Sequence, residues 1–438
     1  MRLFEWLNYI PGIDKWGKRS YAFFLLFLLA SYFAYVRVAV VHYVGHDNLL
    51  TIFSRAMLFG AFLLSAICLG LSNLGKKRCN KQLWCMFCVG LLLLFYCSIL
   101  GLNRGNLPAI ILIQASFMGM MLMYFIEGSG GERFAKTMDV FLIFFWIMAI
   151  IVFLTKDVIH GGEFTETGVE VVMGERHTRS LGYIMKQYLN AMPLFFTLGV
   201  FWRRKMSALL RILYLATIIP HIYLLIYVFK FRTGMWVVVM TMMLTMWNSI
   251  KSKKVVGAII GVLVLAIGAI LYTGKDADLF RERVEASMSG RGLTGMLQDA
   301  RAREFGIMMR EFSLVEKIFG RGFGGHYDAS EMFWQGYEWS TIHMGFFIGM
   351  LYGGIFFLIW LYWLFIKASL RQLHPLERRD GFLVACKIYV FVELVHLSFC
   401  PFAFLYSLSF PYSVTFLAIG ALWSPKYTGC MNNHIVLH

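Results

Sequence analysis

Charge is scarce in this sequence. Asp, Glu, Lys and Arg make up 15% of its 438 residues, against roughly 25% in soluble domains. So few charges cannot coat a water-soluble fold of this length. With hydrophobic residues at 59% and a mean hydropathy of +0.66, the composition specifies a polytopic membrane protein. Proline is scarcer still, at 8 residues, which excludes collagen-like and proline-rich disordered architectures. The 8 cysteines lie mostly in or beside apolar runs, so no disulfide framework is visible. Cys85-x-x-Cys88 falls inside an apolar helical pattern and reads as packing. There is no Asn-x-Ser/Thr sequon, no paired Cys/His spacing of a metal site, no Gly-Lys-Ser/Thr of a phosphate loop and no clear internal repeat of the transporter kind. No small-residue cleavage site follows the first apolar run convincingly, so that run is expected to stay as a span.

Long hydrophobic runs are what the chain has in abundance. A spanning helix needs about 20 mostly apolar residues, and candidates centre on 20–36, 56–74, 82–102, 107–126, 138–154, 188–202, 209–229, 234–249, 254–272, 342–366, 382–400 and 403–423. The fold class expected is therefore an all-α polytopic membrane protein of about twelve transmembrane helices. Formal net charge is +16, from 41 Lys and Arg against 25 Asp and Glu. The excess fits cationic loops held in the cytoplasm against anionic lipid, so membrane lipid and not nucleic acid is the expected partner. Placing the N-terminus inside gathers the short basic loops, with 22 of the 41 cations, on one side. Both termini are then cytoplasmic. Two long loops face outward, 155–187 and 273–341. The chain divides into residues 1–272 with nine spans and the first long loop, the large loop 273–341, and residues 342–438 with three spans and the C-terminus. A loop of nearly seventy residues exceeds ordinary connections and is expected to carry function. Within it, 296–312 has an amphipathic helical pattern, with Met296, Leu297, Ala300, Phe305, Met308, Met309 and Phe312 on the apolar face.

Several residues could carry chemistry. Arg232 sits in a short outward connection, where it either snorkels to lipid phosphate or clamps a substrate phosphate with its planar fork. Ser289-Gly290-Arg291 lies early in the large loop, and Phe319-Gly-Arg-Gly-Phe-Gly-Gly-His326 follows it. Those glycines permit a turn that approaches a ligand closely, although taken alone they read as a plain flexible turn. His343 stands where the large loop re-enters the membrane, as a helix cap or as a general base whose ordinary pKa is near neutrality. Glu393 and His396 are three apart inside an apolar run, on one helix face, as a buried structural pair or an intramembrane functional one.

Taken together these elements resemble the bacterial O-antigen polymerase and O-antigen ligase superfamily. The residues that carry the resemblance are Phe231-Arg232-Thr233-Gly234, Ser289-Gly290-Arg291, Ile318-Phe319-Gly320-Arg321-Gly322-Phe323-Gly324, and His343 with Gly354-Ile355 eleven residues after it. Phe231 stands where the family commonly has Ser, and Met344 where it has Asn. The resemblance covers roughly 229–358. It implies a GT-C-like, metal-independent, inverting glycosyltransferase of the bacterial inner membrane, with no cofactor. Its donor is a glycan on undecaprenyl diphosphate at the periplasmic face. Its acceptor is another lipid-linked repeat unit in a polymerase, or lipid A–core in a ligase; polymerase is favoured because the motif letters depart from the commoner ones. A chain-length regulator and a flippase are the protein partners expected. Arg232, Arg291 and Arg321 then bind the diphosphate, His343 is the base, and Asp328, Glu331 and Glu338 hold sugar hydroxyls or serve as alternative bases. The rival from another class is a polysaccharide flippase or other secondary transporter, which the Glu393–His396 pair keeps open.

Overall fold

The structure is a computed structural model that describes residues 81–128, 132–159, 191–202, 206–223, 232–249, 300–328, 338–339, 345–373, 375–399 and 410–423, with isolated positions elsewhere. Among these the chain is mostly helical. In order the helices are α1 (Lys81–Asn103), α2 (Pro108–Gly128), α3 (Glu132–Ile159), α4 (Met192–Phe201), α5 (Ala208–Ala216), α6 (Ile218–Tyr223), α7 (Arg232–Ser249), α8 (Ala300–Glu311), α9 (Leu314–Phe319), α10 (Ile348–Leu370), α11 (Pro375–Asp380), α12 (Phe382–Phe399) and α13 (Phe410–Trp423). A two-residue antiparallel ribbon, β1 (Tyr327–Asp328) and β2 (Glu338–Trp339), lies between α9 and α10.

Apolar residues all around a helix mean burial on one side and lipid on the other. On α1, Leu83, Phe87 and Cys97 are buried, while Leu92, Phe95, Ile99 and Leu102 are exposed on the far face. The exposed set is as hydrophobic as the buried one, as a lipid-facing surface requires. Among the described residues three helical stretches have the length and apolar composition to cross a membrane: Gln82–Asn103, Pro108–Ile126 and Gly345–Leu370, the last of them interrupted at Gly353–Gly354. The first two coincide with expected spans, as α1 and α2. They form a hairpin whose turn holds Gly105 in the left-handed region (φ 74°) and starts the second helix with Pro108 at its first position. The core joins α1, α2, α10, α12 and α13 with α4 and α5. Trp360 Nε1 donates to Met86 O, and Trp423 Nε1 to Leu364 O, tying α10 to its neighbours on both sides.

One expected span is described in part and one is corrected. Of the run 209–229, α5 and α6 follow each other as one apolar helical stretch, Ala208–Ile222, in which Thr217 keeps right-handed helical geometry (φ −57°, ψ −22°) and its hydroxyl donates to Tyr214 O; residues 224–229 lie outside the described set. The run 342–366 is not one straight helix. Gly353 (φ −128°, ψ 16°) and Gly354 (φ 64°, ψ −156°) leave helical geometry. In a straight helix Phe346 and Phe365 would stand about 28 Å apart, yet their rings are 5.0 Å apart, and Phe346 stacks on Tyr362 at 4.4 Å. Residues 345–352 therefore fold back antiparallel onto 355–370. The spans 20–36 and 56–74, apart from isolated positions, lie outside the described residues, as do 254–272 and loop 155–187 beyond Ile159.

Of the amphipathic helix expected over 296–312, the described part is α8, Ala300–Glu311; residues 296–299 lie outside the described residues. Met308 and Phe312 are buried, and Phe305 and Met309 pack against the same core. Phe305 meets Phe347 of the fold-back at 4.4 Å. The helix is thus docked on the bundle. Its inner face also holds Glu304, fully buried, which the hydrophobic pattern alone did not reveal.

Candidate functional site

The glycine run of the large loop is built into the bundle. Gly320, Gly322 and Gly324 all have φ near 76°, which side-chain-bearing residues avoid. Space forbids side chains too. A Cβ on Gly322 would lie 2.2 Å from Gly101 N on α1, and one on Gly320 would lie 2.5 Å from the Tyr352 backbone on α10. The break at Gly353–Gly354 frees carbonyls that a continuous helix would use internally. Leu351 O accepts from Arg321 N at 2.8 Å and Tyr352 O from Gly322 N at 2.9 Å, while Cys97 O accepts from Phe323 N at 2.9 Å. The run is therefore a seam between α1 and the fold-back, not the plain flexible turn read from its glycines. Gly354 closes the seam from the other side, since a Cβ there would fall 2.1 Å from Ile318 O. The stretch 318–324 and Gly354, which follows it by thirty residues, thus lock directly together.

Polar side chains complete the seam, and sequence reasoning missed them. Asn106 Nδ2 donates to Phe323 O at 2.9 Å and to Arg321 O at 3.3 Å. Gln114 is fully buried; its Oε1 accepts from Gly324 N at 2.7 Å and its Nε2 donates to the Tyr352 hydroxyl at 3.0 Å. The one available signal was an amide side chain inside an otherwise apolar span.

Around the seam lies a charged node. Arg321 Nε pairs with Glu316 at 3.1 Å, and its Nη1 with Glu311 and with His326 O, both at 2.6 Å. Its guanidinium lies over the Phe312 ring at 4.2 Å. Arg104, at the α1–α2 tip, reaches Glu316 at 2.7 Å. Glu316 also closes a capping box with Ser313 at the start of α9. Burial alone would push this carboxyl up, but hydrogen bonds from Arg104, the Ser313 amide, Arg321 and the Ser313 hydroxyl outweigh it and hold the group at about 2. Tyr327, buried beside Glu304 and Glu311, has its hydroxyl pushed far up and donates it to Glu304.

The other expected residues stand as follows. Arg232 is the first residue of α7. Asp328 is exposed on β1; its amide donates to Glu311 at 2.7 Å, and hydrogen bonding from Ser330 lowers its carboxyl. Glu338 on β2 is its register partner. His343, Arg291 and Glu331 lie outside the described residues. His343 precedes by two residues the turn Gly345–Phe347, which packs on α12 and on α10. That helix, α12, carries Glu393 and His396, both buried, with Nδ1 and Oε2 3.8 Å apart. The second oxygen of Glu393 accepts no hydrogen bond among the described residues. Those residues hold no group of three or more His, Cys, Asp or Glu that could bind a metal ion. Comparison with protein-family models, with curated proteins and with solved structures gives no match for this chain.

Proposed function

We propose that this chain is a membrane glycosyltransferase of the surface-polysaccharide polymerase kind, built on about twelve spans in a GT-C-like arrangement. It works at the periplasmic face of a bacterial inner membrane, with both termini cytoplasmic. One observation carries the proposal: the glycine run and Gly354 form a single interlocked unit. Two of the four separated elements of the resemblance are thus in direct contact, which supports reading them as parts of one site.

In the reaction, an acceptor sugar hydroxyl attacks the anomeric carbon of a glycan carried on undecaprenyl diphosphate. The new glycosidic C–O bond forms as the bond to diphosphate breaks, with inversion, and the electron pair leaves on the lipid diphosphate. His343 takes the hydroxyl proton. Arg232 and Arg291 face the charge that grows on the leaving group. Arg321 has Nε and Nη1 engaged by carboxylates and a carbonyl, so its part is to brace the large loop, to which Arg291 also belongs. Asp328 and Glu338, register partners on the ribbon, are the residues proposed to hold sugar hydroxyls. A chain-length regulator and a flippase are the proposed partners.

Purified protein in lipid nanodiscs, given lipid-linked repeat units, should yield a ladder of products on a gel. Transfer to lipid A–core instead would make it a ligase. Vectorial movement of the lipid-linked glycan with no new bond would sink the enzyme reading. It would favour a transporter, the role that the buried Glu393–His396 pair supports.

A further inference from the structure

At the end of the bundle away from the glycine seam, a cavity of about 660 Å³ opens between α4, α7, α10 and α12. Its walls combine apolar and cationic side chains. Leu244 of α7 and Ile388 and Phe391 of α12 are among the apolar ones, and Phe391 is partly exposed. Lys387, one helical turn before Phe391 on the same face, and Arg378 supply positive charge. No Asp or Glu is among the described lining residues. Lys387 Nζ spends one hydrogen bond on Arg371 O, at 2.9 Å; an ammonium has three. Ser369 also lines the cavity. It is 4% exposed and its Oγ has no hydrogen-bond partner among the described residues, an expensive state for a buried hydroxyl unless a ligand supplies an acceptor.

Two cations and an unpartnered hydroxyl, lining one cavity with apolar side chains that include the partly exposed Phe391 of α12, match one ligand class. It must be anionic at one end and hydrocarbon at the other. We propose that this cavity binds an anionic phospholipid of the adjacent leaflet. The phosphate lies against Lys387 and Arg378, a headgroup or ester oxygen accepts from Ser369, and the first part of an acyl chain runs along Leu244, Ile388 and Phe391. Basic pockets between transmembrane helices recognise such headgroups by this combination. A soluble anion would leave the apolar walls unused, and a zwitterionic lipid would bring a cation to a cationic site. The site is independent of the glycosyltransferase proposal.

The test uses the full-length protein in detergent, titrated with phosphatidylglycerol and read by native mass spectrometry. A single phosphatidylglycerol should be retained, with phosphatidylcholine held at least fivefold more weakly. Arg378→Gln and Lys387→Gln should each weaken retention roughly fivefold. Leu244→Trp, which fills the apolar part without touching charge, should do the same. Arg378 is exposed, so its variant keeps the fold; equal retention by that variant would overturn the site. So would competition by glycerol 3-phosphate as strong as by the intact lipid, or equal binding of phosphatidylcholine.

Discussion

Arg232 opens α7, whose other end, at Ser249, lines the cavity between α4, α7, α10 and α12. Seventeen residues of helix separate the two by about 26 Å, which sets Arg232 at the opposite side of the bundle from that cavity. Arg232→Ala should cut polymer formation about a hundredfold, the effect of losing roughly 3 kcal/mol of stabilisation at a leaving diphosphate. Arg232→Lys should restore only part, because an ammonium lacks the bidentate fork. Near-normal ladders from the Ala variant would return Arg232 to lipid snorkelling. His343→Gln should abolish most turnover while leaving donor binding intact, and wild-type activity should fall at acid pH as the imidazole takes up a proton. A Gln variant of normal rate would move the base elsewhere, to Asp328, Glu331 or Glu338. Glu316 gives a separate pH signature. Its carboxyl is held at about 2, below its ordinary 4.5. The stability it contributes is complete above about 4.5 and is lost as pH falls toward 2. Melting temperature should drop over that window, and Glu316→Gln, which removes the titrating group, should flatten the drop. Equal slopes in the two proteins would exclude Glu316 as the cause.

The glycines matter as parts of elements. Gly322 and Gly354 combine positive φ with backbone 2.2 Å or less from where a Cβ would stand, against Gly101 N and Ile318 O respectively. Backbone atoms cannot swing aside as a side-chain tip can. Gly322→Ala and Gly354→Ala should each cost several kcal/mol, on the order of 3 or more, and open the seam. Gly306 is the internal control. It lies mid-helix on α8 with nothing within 4 Å of its absent Cβ, so Gly306→Ala should be neutral or stabilising by about 0.5–1 kcal/mol. Thermal melts of the three variants in detergent check this, and comparable melts for all three would refute the seam. The seam explains why the loop carrying it is long: it must leave the bundle, turn back between α1 and α10, and still supply the segment that folds against Tyr362 and Phe365.

For the whole molecule, the proposed topology makes a two-point prediction. In a background free of native cysteines, Asp328→Cys should react with a membrane-impermeant thiol reagent added to intact spheroplasts. Arg378→Cys, at the far cavity, should react only after the membrane is opened. The reverse pattern would invert the protein in the membrane. Both positions are chosen for exposed side chains, so failure to react reports sidedness and not burial.

Sequence by itself determined the class of molecule and much of its helical layout. A near-continuous apolar run of spanning length has one low-energy form in lipid, a helix that satisfies its own backbone, so α1, α2, α7 and α12 fall close to where hydropathy alone puts them. The helix α8 was legible through its spacing of Phe305, Met308 and Phe312, but its docking on the bundle was not. The glycines at 320, 322 and 324 were visible too, as a run able to turn. What they approach was decided by the tertiary structure, because a positive φ says that a turn is needed and not which backbone lies beside it. The reversal at Gly353–Gly354 was hidden for a related reason. Residues 345–352 are apolar and helical on their own account, and hydropathy cannot distinguish a straight span from one folded back once two glycines permit both. The partners of Arg321 were likewise invisible. A cation in a loop carries the same formal charge whether it faces a ligand or two carboxylates five and ten residues earlier in the chain, and only the fold that brings Glu316 and Glu311 to its guanidinium tells them apart.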